Sequence, residues 1–304
     1  MPICQLKSVA LSYQLYGDPS NPLLIVETAL GSTFVEWSHL AKVWAGQYYV
    51  LLYDRAGYGQ SSNSSLVRSP QSVAMELHDL LEAINLLRPA ILMGHSMGGL
   101  YVQQYARLYP DLVQAVILLD PVSARNHTLK QQLSPQEYAQ SGIDKTANFK
   151  MGRAIASLGL AFLFKPMLKQ APPFYYYAGF DKTSEEFILR HLTQKKTYQN
   201  ALEEYAFLEP GGQLTALEEK GDFPCVPLVL VLHDPVVMQA EIIKYGGADE
   251  AAARKVDELW CNLMKTYLQF SPRSACLQSQ TASHMIHLTD PDILLQALTH
   301  SSTL

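Results

Sequence analysis

The first 120 residues switch repeatedly between two hydrophobic patterns. Val9–Tyr16 alternates loosely and stops at the turn Gly17-Asp18-Pro19. Leu23–Thr28 and Tyr48–Tyr53 are short runs that are apolar almost throughout, and Phe34–Ala45 between them reads as a short helix. Ser69 followed by Pro70 is a helix start, with Val73, Leu77, Leu80, Leu81 and Ile84 on one face of a helix running to about Leu87. The apolar run Pro89–Met93 leads into Gly94-His95-Ser96-Met97-Gly98-Gly99, and the amphipathic stretch Leu100–Leu108 follows. Val113–Leu119 is another apolar run, closed by Asp120-Pro121. Strands that are apolar on both faces and separated by helices predict a parallel sheet covered on both sides.

The alternation breaks between Val122 and Asp222. That stretch has helical pieces, a Phe162/Phe164 cluster and the run Pro172–Phe180, which contains Phe174, Tyr175 and Tyr176. Val226–Leu232 restores a buried strand. A long helix follows, clearest over Asp249–Tyr267, then a last candidate strand at Ala275–Thr281 and a closing helix at Asp290–Leu298. The expected fold is α/β, a doubly wound, mostly parallel sheet. Its core domain comprises residues 1–121 and 223–304, and residues 122–222 form an inserted helical cap. Ligand sites in such sheets lie beyond the carboxyl ends of the strands, so this insertion should sit over the site. Phe162, Phe164, Phe174, Tyr175 and Tyr176 are then candidates to line a substrate pocket, or to form a small core within the cap.

Ser96 carries the first chemical signal. It stands at the turn between a strand and a helix, flanked two residues away by Gly94 and Gly98, because so tight a turn has no room for larger neighbours. Such a nucleophile elbow lifts the hydroxyl clear of the backbone. It also places it at a helix N-terminus, where free N–H groups and the helix dipole favour developing negative charge.

Composition narrows the function. Hydrophobic content of 48% and charged content of 17% are globular values. A net charge of −5 and a pI near 6.0 argue against nucleic acid or an anionic membrane as the main partner. The four cysteines are far apart, with no metal-site spacing, and read as reduced thiols. No secretory signal and no run long enough to span a membrane is present, so a soluble cytoplasmic protein acting on a small molecule is expected. The oligomeric state is not legible.

Three segments resemble the α/β-hydrolase superfamily of serine hydrolases: Tyr53–Ser61 with its Asp54-Arg55-Ala56-Gly57, Gly94–Gly99, and Ser283–Pro291. They stand in the expected order, and the resemblance is nearest to an esterase-like branch. It implies a base just after the last strand, which His284 matches best and His287 less well. His95 beside the serine is expected to pack rather than react. The usual His-Gly after the third strand is replaced by Thr28-Ala29. By position, the oxyanion-hole N–H groups are assigned to Leu30 and Met97. The triad acid has two candidates. Asp120 ends the strand after the elbow helix, where haloalkane dehalogenases and other branches place it. Asp234 follows the strand at Leu228–Leu232 and echoes the superfamily's more usual position. Asp120 is preferred. Asp54 and Arg55 are read as structural, with Arg55 pairing to a carboxylate.

The resemblance implies hydrolysis of a carboxylic ester, or a related acyl bond, of a small to medium and fairly apolar substrate. The reaction runs through an acyl-enzyme on Ser96 and needs no metal or organic cofactor. Lactone, thioester or amide hydrolysis and hydroxynitrile-lyase chemistry can use the same triad. A small-molecule receptor with slow turnover is a further alternative. Epoxide hydrolase and dehalogenase chemistry calls for an aspartate at the elbow, so Ser96 argues against both.

Overall fold

Each apolar run of the first 120 residues takes its place in one eight-stranded sheet, as seen in the computed structural model, which describes residues 1–208 and 214–304. The strands are β1 Ile3–Gln5, β2 Ala10–Tyr16, β3 Leu23–Glu27, β4 Tyr49–Tyr53, β5 Ala90–His95, β6 Val113–Leu119, β7 Leu228–Leu232 and β8 Ser274–Gln278. Their spatial order is β1-β2-β4-β3-β5-β6-β7-β8. β2 runs antiparallel to β1 and β4, and the remaining neighbours pair in parallel.

The all-apolar strands follow from the two covering layers. In β3, Leu23 and Ile25 join the core on one face, packed with Leu77, Leu80 and Val102 of the helices Pro70–Ala83 and Gly98–Leu108. Leu24 and Val26 join the other, packed with Phe34, Trp37 and Leu294. Burying each such aliphatic side chain contributes about 1.5–3 kcal/mol, which a strand with one polar face could not gain on both sides.

Three elements differ from the pattern reading. The helix expected over Phe34–Ala45 is a 3₁₀ turn, Phe34–Trp37, started by a Thr33–Glu36 capping box, and then an α-helix, Ser38–Trp44. The long helix after β7 is two, Pro235–Gly246 and Glu250–Lys265. They are parted at Gly247, whose φ of 70° only glycine adopts without strain, and the second is capped by Asp249. β1 was not foreseen, because three half-exposed residues carry no periodicity and exist as a strand only through pairing with β2.

Helices Thr146–Ser157, Lys182–Leu192 and Lys195–Tyr205 lie between β6 and β7. They are stitched to the loops at the carboxyl ends of the strands. His191 donates from Nε2 to the Gly31 carbonyl at 2.7 Å and accepts at Nδ1 from the Gly59 N–H at 3.1 Å. That pattern needs a neutral ring, and burial accordingly holds His191 down at about 4.

Candidate active site

The turn after β5 forces Ser96 into the left-handed region, with φ of 55°. The space around it explains the glycines. A Cβ on Gly98 would stand 2.3 Å from the Glu27 carbonyl oxygen, and one on Gly94 2.6 Å from the Gly98 carbonyl oxygen. Gly99 allows the elbow helix to press against Pro121, whose Cβ would lie 2.6 Å from an added methyl.

Ser96 Oγ lies 3.0 Å from His284 Nε2, and His284 Nδ1 lies 2.5 Å from Asp120 Oδ2. Serine, imidazole and carboxylate thus come from the ends of β5, β8 and β6, far apart in sequence. Asp120 is itself left-handed, with φ of 41°, which turns its fully buried side chain away from the path of β6. His284 is tethered through its backbone as well. His95 Nε2 sits 2.8 Å from the His284 carbonyl oxygen, so this buried ring acts as a donor there. Burial, reinforced by the neighbouring His284, pushes His95 down to about 3 and keeps it neutral.

Behind Asp120 lies a second layer. His233, at the end of β7, meets Asp120 Oδ1 through Nδ1 at 2.6 Å and Asp257 Oδ1 through Nε2 at 2.7 Å. Gln239 holds the other Asp257 oxygen at 2.8 Å. Burial alone would keep His233 neutral, but the Asp120 charge and the hydrogen bonds the ring donates to both carboxylates outweigh it and push the ring up to about 12. Burial likewise raises Asp120, yet the His233 charge, the His233 and His284 hydrogen bonds and the His284 charge hold it well below the usual carboxylate range. The donor atoms of His233, Asp257 and Cys261 lie within 4.8 Å of one another. Both His233 nitrogens already hold protons against carboxylates, which suits an imidazolium and leaves no lone pair for a metal.

The loop after β3 carries Leu30. Neither its N–H nor that of Met97 has a hydrogen-bond partner among the described residues. Arg55 fixes this loop by donating to the carbonyl oxygens of Thr28 at 2.8 Å and Ala29 at 3.2 Å. The same guanidinium pairs with Glu27 at 3.0 Å and grips Glu204 with two bonds, of 3.1 and 3.0 Å. Asp54 accepts from the Phe34 N–H at 2.9 Å and the Thr33 hydroxyl at 2.8 Å. Both residues are thus built into the scaffold around the site.

The family model described as alpha/beta hydrolase fold matches residues 21–291. The chain belongs to that family. A relative from Stutzerimonas stutzeri named "Putative carbamate hydrolase RutD" is 32% identical over 119 residues, 38% of this chain and 44% of that protein. The "3-oxoadipate enol-lactonase 2" of Acinetobacter baylyi is 26% identical over 141 residues, 46% of this chain and 52% of that protein. The chain thus spans about half the length of these curated relatives. Among solved structures, a "probable hydrolytic enzyme" from Pseudomonas aeruginosa superposes with a TM-score of 0.68 at 18% identity, covering 99% of this chain and 92% of that one, a likeness of fold.

Within this α/β hydrolase the other candidates lie elsewhere. Asp234 accepts from the Val236 N–H at 2.8 Å and caps the helix that follows, so Asp120 and not Asp234 meets His284. His287 stacks flat on Trp37, ring centres 4.1 Å apart, and burial holds it neutral. Of the five aromatic candidates, Phe162 and Tyr175 are about half exposed and Phe164 is 37% exposed, so they do not wall an enclosed pocket. Phe174 packs edge-on to Phe180 and onto the core. Tyr176 lies near Ser283, the residue before His284, and donates to Glu241 at 2.9 Å.

Sequence reading missed Trp260, whose ring stands edge-on to His284 at 6.3 Å, and Phe149, which lies against Gly31. It also missed His233 and Asp257. The usable signal was a histidine ending an apolar strand, where a core side chain belongs.

Proposed function

We propose that this α/β hydrolase cleaves a carboxylic ester, or a related acyl bond, of a small to medium and fairly apolar substrate through an acyl-enzyme on Ser96. The unbroken hydrogen-bond chain Ser96–His284–Asp120 carries the reading. His284 takes the Ser96 proton as Oγ attacks the carbonyl carbon, and Asp120 stabilises the imidazolium that forms. The Leu30 and Met97 N–H groups receive the tetrahedral oxyanion, and each such donor contributes about 3–4 kcal/mol to the transition state. His284 returns the proton to the departing alcohol. Water then repeats the sequence on the acyl-enzyme, releasing the acid and restoring Ser96.

An apolar acyl group suits the surroundings. Met97 and Leu30 pack with Leu100, Val122, Tyr205 and Leu208 in one cluster. In this reading residues 122–222 act as the cap over the site. The enol-lactonase relative supports a lactone as the second reading. A lactone is an internal ester, so the same steps apply and the alcohol stays attached to the acyl group.

A fluorophosphonate probe followed by peptide mass spectrometry tests the core of the proposal. The expected adduct is on Ser96, and its absence in folded protein refutes the acyl-enzyme route.

A further inference from the structure

The net charge of −5 hides an uneven distribution. Between Asp144 and Asp181 there is no acidic residue, while Lys145, Lys150, Arg153, Lys165 and Lys169 all fall there. The rest of the chain is therefore more negative than the average suggests. The same segment holds the largest concentration of exposed apolar surface among the described residues. Of the twenty exposed large hydrophobic side chains, six fall in ten consecutive positions: Leu158, Leu160, Phe162, Leu163, Phe164 and Met167. Leu158 is 72% exposed, and Leu163 and Met167 are each 59% exposed. Their exposed surfaces sum to on the order of 600 Å², much of it apolar.

We propose that residues 145–169 form a docking surface for a lipid bilayer containing anionic headgroups. Leu158, Phe162, Leu163 and Met167 enter the interface, and Lys150 and Lys165 meet the headgroups. Charge complementarity selects this occupant. Neither Lys150 nor Lys165 has a carboxylate within 4.0 Å among the described residues, although Lys150 is near enough to Asp144 to help lower its carboxyl; Lys150 precedes the apolar residues, Lys165 stands among them, and Lys169 beyond them is paired to Glu185. An acidic body with one basic, apolar face is also oriented by an anionic surface before contact.

Docking would bring one helix of the site to the bilayer. Helix Thr146–Ser157, which enters this surface, carries Phe149 against Gly31 of the oxyanion loop and Met151, 59% exposed, toward solvent. One helix thus borders both the lipid face and the site. A membrane-dissolved acyl ester would reach Ser96 along it. That last clause rests on the proposed function, whereas docking does not.

The test is co-sedimentation with phosphatidylcholine vesicles, with and without phosphatidylglycerol. The expected result is binding to the anionic vesicles that weakens as salt is raised. Leu158→Asp/Leu163→Asp and, separately, Lys150→Glu/Lys165→Glu should each weaken it at least about tenfold while leaving hydrolysis of a soluble short-chain ester unchanged. Both pairs are exposed, and thermal melts check that the variants fold. Absence of binding by the unaltered protein, or binding by either variant as tight as that of the unaltered protein, overturns the proposal. So does a dimer on size exclusion that the aspartate pair dissociates without any vesicle binding, since the patch then belongs to a second copy. Vesicle binding by a protein that fluorophosphonate does not label leaves docking standing and refutes the hydrolase reading alone.

Discussion

Replacing His233 by glutamine removes the positive charge between two buried carboxylates while keeping a hydrogen-bond donor. The imidazolium centre stands roughly 7 Å from the His284 ring, judged from the 2.5 and 2.6 Å bonds through Asp120. At an effective dielectric constant of about 20, a charge at about 7 Å is worth roughly 2.4 kcal/mol. That corresponds to between about one and two pH units. With the charge gone, the protonated state of His284 is favoured, and one of the two carboxylates is more readily protonated. Both effects move the acidic limb of kcat/KM upward in pH. Asp257→Asn removes a negative charge from the far side of the ring, roughly 11 Å from His284, and moves the limb downward by about one unit. The double variant His233→Gln/Asp257→Asn restores the original net charge, so its limb returns to within about half a unit of the unaltered enzyme. Glu241 is the other charged side chain facing His233, and Cys261 Sγ lies 3.7 Å from its Nε2. Both stay in place in all three variants. The assay is hydrolysis of a short aryl ester from about pH 5 to 9, with Ser96→Ala as the blank. A limb that stays put in His233→Gln, or both single variants shifting in the same direction, refutes the electrostatic account. A merely structural His233 would lower kcat without moving the limb.

Asp120→Asn should lower kcat by about four orders of magnitude, because the asparagine cannot hold the imidazole in its reactive tautomer. Asp234→Asn should keep kcat and change stability by less than about 1 kcal/mol, and the reverse pattern in steady-state kinetics would reassign the acid. Arg55→Met leaves Glu27 and Glu204 buried without their partner and should cost about 3–5 kcal/mol in urea unfolding. Burial lowers His191 from an unfolded value of 6.5 to about 4, so the unfolded chain binds more protons between those values and stability falls as pH drops through that window. Chemical denaturation at pH 6.5 and pH 4 should show His191→Asn losing up to about 3 kcal/mol less than the unaltered protein over the interval.

The sequence by itself determined seven of the eight strands and the elbow, and the family resemblance pointed to His284. The strands and the elbow rest on local rules, an apolar run flanked by helices for β3 and β5 and small residues at a tight turn for Ser96, whereas His284 follows from the position that the α/β-hydrolase resemblance implies. The same local rules left the acid divided, because Asp120 and Asp234 both follow apolar strands and both precede proline. Only the tertiary structure separated them. The left-handed turn at Asp120 aims its carboxylate at His284, while Asp234 is drawn off to cap a helix. His233 and Asp257 became legible in the same way, since neighbouring strand ends and a later helix bring together residues with no spacing in common. The Arg55–Glu204 pair bridges 149 positions and follows from no pattern along the chain. The charge of residues 145–169 was present in the sequence from the start. Its apolar side chains gained meaning only once the fold left them outside, because burial depends on what packs against a segment and not on its composition.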